Sequence, residues 1–127
     1  MPELLRVLYV EDDPDIREIA YLALEVVGGF VVKICSSGEE ALDEAVSFEP
    51  DLILLDVMMP GLDGPSTLKK MREQAELVSV PVVFMTAKVQ PAEIDAYLSL
   101  GAVNVIHKPF DPMTLADQLR NIMASLN

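Results

Sequence analysis

Apolar residues fall along the chain in two alternating rhythms. Short, nearly unbroken runs rich in β-branched side chains occur at Leu4–Val10, Phe30–Ile34, Leu52–Leu55, Val80–Met85 and Ala102–Ile106, and these read as strands. Between them the apolar positions recur every three or four residues, the period of an amphipathic helix. Ile16, Ile19, Ala20, Ala23, Val26 and Val27 mark the first such face; Ala41, Leu42, Ala45 and Val46 the second; Leu68 and Met71 the third; Leu115, Leu119, Ile122 and Met123 the last. The helix ends carry their own signals. Asp13-Pro14 and Asp111-Pro112 each have the form of an N-cap followed by proline at the first helical position. Ser37-Gly38-Glu39-Glu40 has the form of a capping box. Pro65 opens a helix, Pro91–Leu100 forms another, and Gly28-Gly29, Pro50 and Gly101 act as stops.

Five βα units in succession predict an α/β fold: a five-stranded parallel doubly wound sheet, flavodoxin-like order 2-1-3-4-5, with five helices on both faces. Four apolar residues in a row place Leu52–Leu55 at the covered centre of the sheet, and Lys33 marks its own strand as an edge. The 127 residues suit a single domain, with no linker, repeat or low-complexity segment to divide 1–127.

A hydrophobic content of 51% and a charged content of 24% describe a globular chain. No apolar run is long enough to span a membrane. The Met1-Pro2-Glu3 start lacks the basic and apolar regions of a signal peptide, and the lone Cys35 has no internal disulfide partner; both point to the cytoplasm. Cys35 reads as a small buried residue and the seven methionines mainly as core filling, with Met58 and Met59 as possible exceptions. Nine Lys and Arg against 21 Asp and Glu give a net charge of −12, which argues against direct nucleic-acid binding.

In doubly wound sheets ligands bind at the carboxyl ends of the strands, near the point where strand order reverses. The five strands end in Glu11-Asp12-Asp13, Cys35, Asp56, Thr86-Ala87 and His107-Lys108-Pro109. With strands one and three adjacent, Glu11, Asp12 and Asp56 converge, a costly gathering of like charge that a hard divalent cation such as Mg²⁺ relieves. Asp13 serves better as the N-cap. Lys108 adds a compact positive charge and Thr86 a hydroxyl. Together these groups suit phosphoryl transfer, with Asp56 as nucleophile. His107, next to Lys108, alternates to the opposite face and reads as structural or exposed.

Four segments, in order and at fitting intervals, carry a resemblance over nearly the whole chain: Val10-Glu11-Asp12-Asp13, Leu54-Leu55-Asp56-Val57-Met58-Met59-Pro60-Gly61-Leu62-Asp63-Gly64, Met85-Thr86-Ala87 and Lys108-Pro109-Phe110. The sequence resembles the receiver domain of two-component response regulators. That resemblance implies that Asp56 is the phosphoacceptor and that Glu11, Asp12, Asp56 and the backbone carbonyl of Met58 hold Mg²⁺, with Mn²⁺ able to substitute. It implies that Thr86 and Lys108 contact the phosphoryl group and that the Lys108–Pro109 bond is cis. The donor would be a sensor histidine kinase or phosphotransfer protein. The protein would catalyse only its own phosphorylation and dephosphorylation. Output would pass to an unknown partner protein or an attached effector domain, for which 127 residues leave no room, and a dimer could form through the fourth helix, the fifth strand and the fifth helix.

Two departures stand out. Val105 occupies the last-strand position where receivers usually carry an aromatic that swings inward as the threonine moves. Met58 and Lys88, both long, occupy positions that tune access of the hydrolytic water, which implies slow dephosphorylation. Three other readings are weaker. A phosphatase of the haloacid-dehalogenase type needs a second aspartate where Met58 stands; a flavin or nucleotide module needs a glycine-rich phosphate loop after strand one; a pseudo-receiver would not need the full set of acids.

Overall fold

The computed structural model describes residues 5–126. Leu4 and the Met1-Pro2-Glu3 start lie outside that range. Within it the chain runs β1 (Arg6–Val10), α1 (Pro14–Tyr21), β2 (Val31–Cys35), α2 (Gly38–Phe48), β3 (Leu52–Asp56), α3 (Gly64–Met71), β4 (Val82–Thr86), α4 (Pro91–Ser99), β5 (Asn104–His107) and α5 (Leu115–Ser125). The five strands form one parallel sheet in the order β2-β1-β3-β4-β5, as predicted, with Val10 opposite Leu55 and Asp56 opposite Met85. The edge position of β2 agrees with Lys33, whose ammonium lies 3.8 Å from Glu44. Among the described residues no helix is long and apolar enough to cross a membrane.

Strand alternation divides the core in two. Val7 and Tyr9, Leu52 and Leu54, Val83 and Met85, and Ile106 face α1 and α5. Leu8 and Val10, Ile53 and Leu55, Val82 and Phe84 face α2 and α3. Both faces are covered, which is why these strands read as unbroken apolar runs. The Arg120 guanidinium ties α5 down, donating to the Gly28 carbonyl and lying 4.5 Å over the Phe30 ring.

Local signals mostly hold. Asp13 caps α1, its carboxylate accepting from the Asp15 and Ile16 amides, and Ser37 caps α2 through the Glu40 amide. In that capping box, however, the Glu40 carboxylate reaches back to Ser36 rather than to Ser37. Gly101 takes φ +111° after α4, as its stop signal predicted. Glu49 closes α2 at φ 56°, because the proline that follows disfavours the right-handed helical region.

Three details differ from the sequence reading. After Tyr21 the first helix widens into a π-helical segment, Leu22–Val27, in which Gly28 bonds back five residues to Ala23. The wider turns bring Ala23 and Leu24 inward and leave Val26 and Val27, expected on the apolar face, exposed. Secondly, α5 begins at Leu115 and not at Asp111-Pro112: Asp111 caps a turn, its carboxylate accepting from Met113 and its carbonyl from Leu115. Thirdly, Met59, Met71 and Met85 fill the core, whereas Met58 and Met113 are exposed. Cys35 is buried, and burial pushes its thiol up to about 12.

The turn after β3 depends on Gly64. A Cβ there would stand 2.5 Å from the Asp56 carbonyl oxygen and 2.8 Å from Val57 Cα, both backbone atoms with little freedom to retreat. Gly64→Ala is therefore expected to destabilise the domain by about 1–3 kcal/mol in urea unfolding. An unchanged midpoint would show that the turn can give way.

Candidate functional site

The carboxyl edge of the sheet brings together most of the groups that the sequence singled out. Glu11 follows β1 and continues the parity of Val7 and Tyr9. Asp56 ends β3 on the parity of Leu52 and Leu54. Lys108 follows β5 on the parity of Ile106. All three thus reach the site from the side of the sheet that α1 and α5 cover. Asp12 is half-buried between β1 and α1. Carboxylate oxygens of Glu11, Asp12 and Asp56 lie within 4.8 Å of one another, a spacing able to hold a cation.

Glu11 and Asp56 are almost fully buried, at 1% and 2% exposure. Between them lies the Lys108 ammonium, 2.9 Å from Glu11 Oε1 and 3.2 Å from Asp56 Oδ1. Burial would lower the ammonium's pKa, but the bond to Glu11 and the charges of Asp56 and Glu11 outweigh it and hold the pKa above its ordinary value. The Asp56 carboxyl is pushed up to about 7, first by burial and then by its hydrogen bond to Glu11 and that group's charge, against the opposing pull of Lys108. One ammonium is too little for two buried carboxylates. The donor set is all oxygen, crowded and short of positive charge, so it fits a hard divalent cation.

Thr86 is buried at the end of β4, one residue beyond the register partner of Asp56. Its hydroxyl accepts from the Lys88 amide at 3.1 Å. Met58 lies two residues past Asp56 with its side chain 63% exposed, and Lys88 is also exposed. His107 is exposed, as its alternation predicted, and the Lys108–Pro109 bond is cis. Val105 is half-buried against the core on the α2–α3 side.

Two participants escaped the sequence reading. Arg17 Nη1 donates to the carbonyls of Glu11 at 2.9 Å and Asp12 at 2.8 Å, clamping the backbone of the acidic segment from α1. The Tyr9 hydroxyl donates to Glu11 Oε1 at 3.3 Å from inside the core. The position of Tyr9 two residues before Glu11, on the same strand face, was a usable signal for that contact. An apolar cavity of about 400 Å³ opens beside the site, lined by Ile16, Ile19, Ala87, Lys108, Pro109 and Phe110 among others.

Fold and site together define a doubly wound α/β domain with an acidic, cation-ready centre at the switch point of its sheet. Comparison with known proteins narrows the class. The response regulator receiver domain family matches residues 7–120. Response regulator Rre1 of Synechocystis sp. is 37% identical over 124 residues, covering 98% of this chain and 54% of that protein. Transcriptional regulatory protein CseB of Streptomyces avermitilis is 38% identical over 123 residues, covering 97% and 51%. Among solved structures, the chemotaxis response regulator CheY4 of Vibrio cholerae superposes with a TM-score of 0.87 at 30% identity, covering 94% of this chain and 99% of that one. The chain belongs to the response regulator receiver domain family of two-component signalling. It spans about half the length of the curated relatives it matches.

The raised Asp56 pKa has a consequence for stability without divalent cations. The folded protein retains a proton that the unfolded chain releases between about pH 4 and pH 7, so this group's contribution is present below that window and is lost as pH rises through it. Asp56→Asn cannot ionise. Above pH 7 in chelator it is expected to be more stable than wild type by about 1–3 kcal/mol, with the gap closing toward pH 4. Urea unfolding across this range checks it, and a gap independent of pH would contradict it.

Proposed function

We propose that this receiver takes a phosphoryl group on Asp56 from a phosphohistidine of a sensor histidine kinase or phosphotransfer protein, in a reaction that requires Mg²⁺. The observation that carries this reading is the trio of crowded carboxylates, with the buried Asp56 3.2 Å from the Lys108 ammonium. An Asp56 carboxylate oxygen attacks phosphorus and the P–N bond of the donor breaks. The electron pair returns to the imidazole nitrogen, leaving an acyl phosphate on Asp56. Lys108 moves its ammonium from the carboxylates toward the new phosphoryl oxygens, and the Thr86 hydroxyl donates to one of them. Glu11, Asp12, Asp56 and the Met58 carbonyl would hold Mg²⁺ (or Mn²⁺), which when bound neutralises charge on the transferring group.

Receiver domains signal rather than turn over external substrates, and the self-directed chemistry here is phosphorylation and its reversal. The 127 residues are read as one receiver domain, with output passing to a partner or an attached effector domain. CseB, about twice as long, is named a transcriptional regulatory protein, which supports an effector reading. A net charge of −12 leaves any nucleic-acid contact to such a partner or domain rather than to this one. The apolar cavity beside Lys108 favours a protein donor, since it offers a seat for apolar side chains next to the acids. A dimer through α4, β5 and α5 is compatible with the exposure of Leu98 and Leu100. Met58 and Lys88, two residues past Asp56 and Thr86, are both exposed; side chains of that length there would hinder water from reaching Asp56 and slow dephosphorylation.

Incubation with acetyl phosphate and Mg²⁺ should add one phosphoryl mass to the intact protein. Chelator or Asp56→Ala should abolish the gain, and an equal gain in Asp56→Ala would remove Asp56 from the role. Mg²⁺ at about ten times its Kd should add about 1.4 kcal/mol of stability, raising the Tm by about 3–6 °C. Asp12→Asn should lose most of that rise, and a rise that persists in it would place the ion elsewhere.

A further inference from the structure

We propose that Tyr9 is a positioning residue for the metal-binding carboxylate: its hydroxyl holds Glu11 Oε1 from inside the core and remains there when Lys108 turns toward the phosphoryl group. The proposal rests on the Mg²⁺ reading above and extends it to a residue that touches neither phosphoryl group nor cation.

Along β1 the side chains from Val7 to Val10 are fully buried, and Tyr9 alone among them carries a polar group. Phenylalanine would fill the same volume among Ala20, Leu24, Leu54 and Leu115 without a polar atom to satisfy. The hydroxyl has its partner in Glu11 Oε1, at 3.3 Å. That oxygen also accepts from the Lys108 ammonium, at 2.9 Å, while Oε2 accepts from the Asp13 amide at 3.3 Å. Three donors from three directions thus set the plane of the Glu11 carboxylate: the core under α1 and α5, the end of β5, and the start of α1.

These donors differ in how free they are to leave. Lys108 divides its ammonium between Glu11 and Asp56, at the end of a long stem that is partly exposed. A phosphoryl group on Asp56 draws that ammonium away, and Glu11 Oε1 then loses its nearest cation. The Tyr9 ring has no exposed surface and no room to follow. A phenol keeps its proton at neutral pH, so the hydroxyl stays a donor to Glu11 Oε1. Tyr9 therefore keeps Glu11 oriented through the whole cycle, as groups behind metal ligands do when they hold a ligand's unused atoms.

Tyr9→Phe removes the hydroxyl and little volume. Its Mg²⁺ dissociation constant, measured by calorimetry on the full chain, should be about 3–10-fold weaker than that of wild type. The chain has no tryptophan and three tyrosines, so tyrosine dominates its near-ultraviolet spectrum. The tyrosine difference signal on adding Mg²⁺ should vanish in Tyr9→Phe and persist in Tyr21→Phe and Tyr97→Phe. Should Tyr9→Phe fold poorly, wild-type protein carrying fluorotyrosine gives the same answer: the Tyr9 fluorine resonance should move with Mg²⁺ while the other two stay. Wild-type affinity and an unchanged difference signal in Tyr9→Phe, or a Tyr9 resonance that ignores bound Mg²⁺, would overturn the proposal and leave the Mg²⁺ reading standing. No calorimetric response to Mg²⁺ in wild type would remove that reading first, and this proposal with it.

Discussion

Two carboxylates buried within reach of one ammonium form the constraint around which the domain is arranged. Glu11 and Asp56 are withdrawn from water where β1 and β3 lie side by side, and Lys108 supplies one positive charge for both. Burial, and next the neighbouring Glu11 that Lys108 only partly offsets, push the Asp56 carboxyl up to about 7 and make the site receptive to a proton or a divalent cation. Such an arrangement persists only if the surrounding structure is rigid enough to resist relaxing it. The rigidity comes from β3 and β4, every residue of which is buried, and from the Arg17 clamp on the backbone of Glu11 and Asp12.

The two faces of the sheet have different work. The face under α1 and α5 carries Glu11, Asp56 and Lys108, with Tyr9 joining its core to the acids. Thr86 belongs to the parity of Val82 and Phe84 on the other face. On that side α4 has no fully buried residue, and Tyr97 meets Phe84 edge to face, with ring centroids 5.4 Å apart. With so little of its surface buried, α4 is lightly held against that face. Val105 is half-buried against the same core.

Much of this was legible in the residue pattern. Strand order, the position of the site and the convergence of Glu11, Asp12 and Asp56 followed from five apolar runs and from what stood at their ends. Those signals are local or periodic: an apolar strand has to be covered on both faces, and an acid just past its end has to lie at the edge of the sheet. The cap at Asp13 and the stop at Gly101 belong to the same kind, since each satisfies backbone requirements within a few residues.

Other features depend on which distant groups meet, and no local pattern encodes that. The π-helical widening after Tyr21 reversed the expectation for Val26 and Val27, because packing of the helix on the sheet outweighed simple periodicity. The start of α5 moved to Leu115 because the Asp111 carbonyl and carboxylate close a turn first. Division of the Lys108 ammonium between Glu11 and Asp56, and the Tyr9 hydroxyl beneath them, join residues as far as 97 positions apart. The sequence by itself determined the elements, their order and the edge at which the acids gather, because periodicity and burial act along the chain. Tertiary structure alone decided which donor faces which carboxylate oxygen, because hydrogen bonds and buried charges respond to distances of a few ångströms.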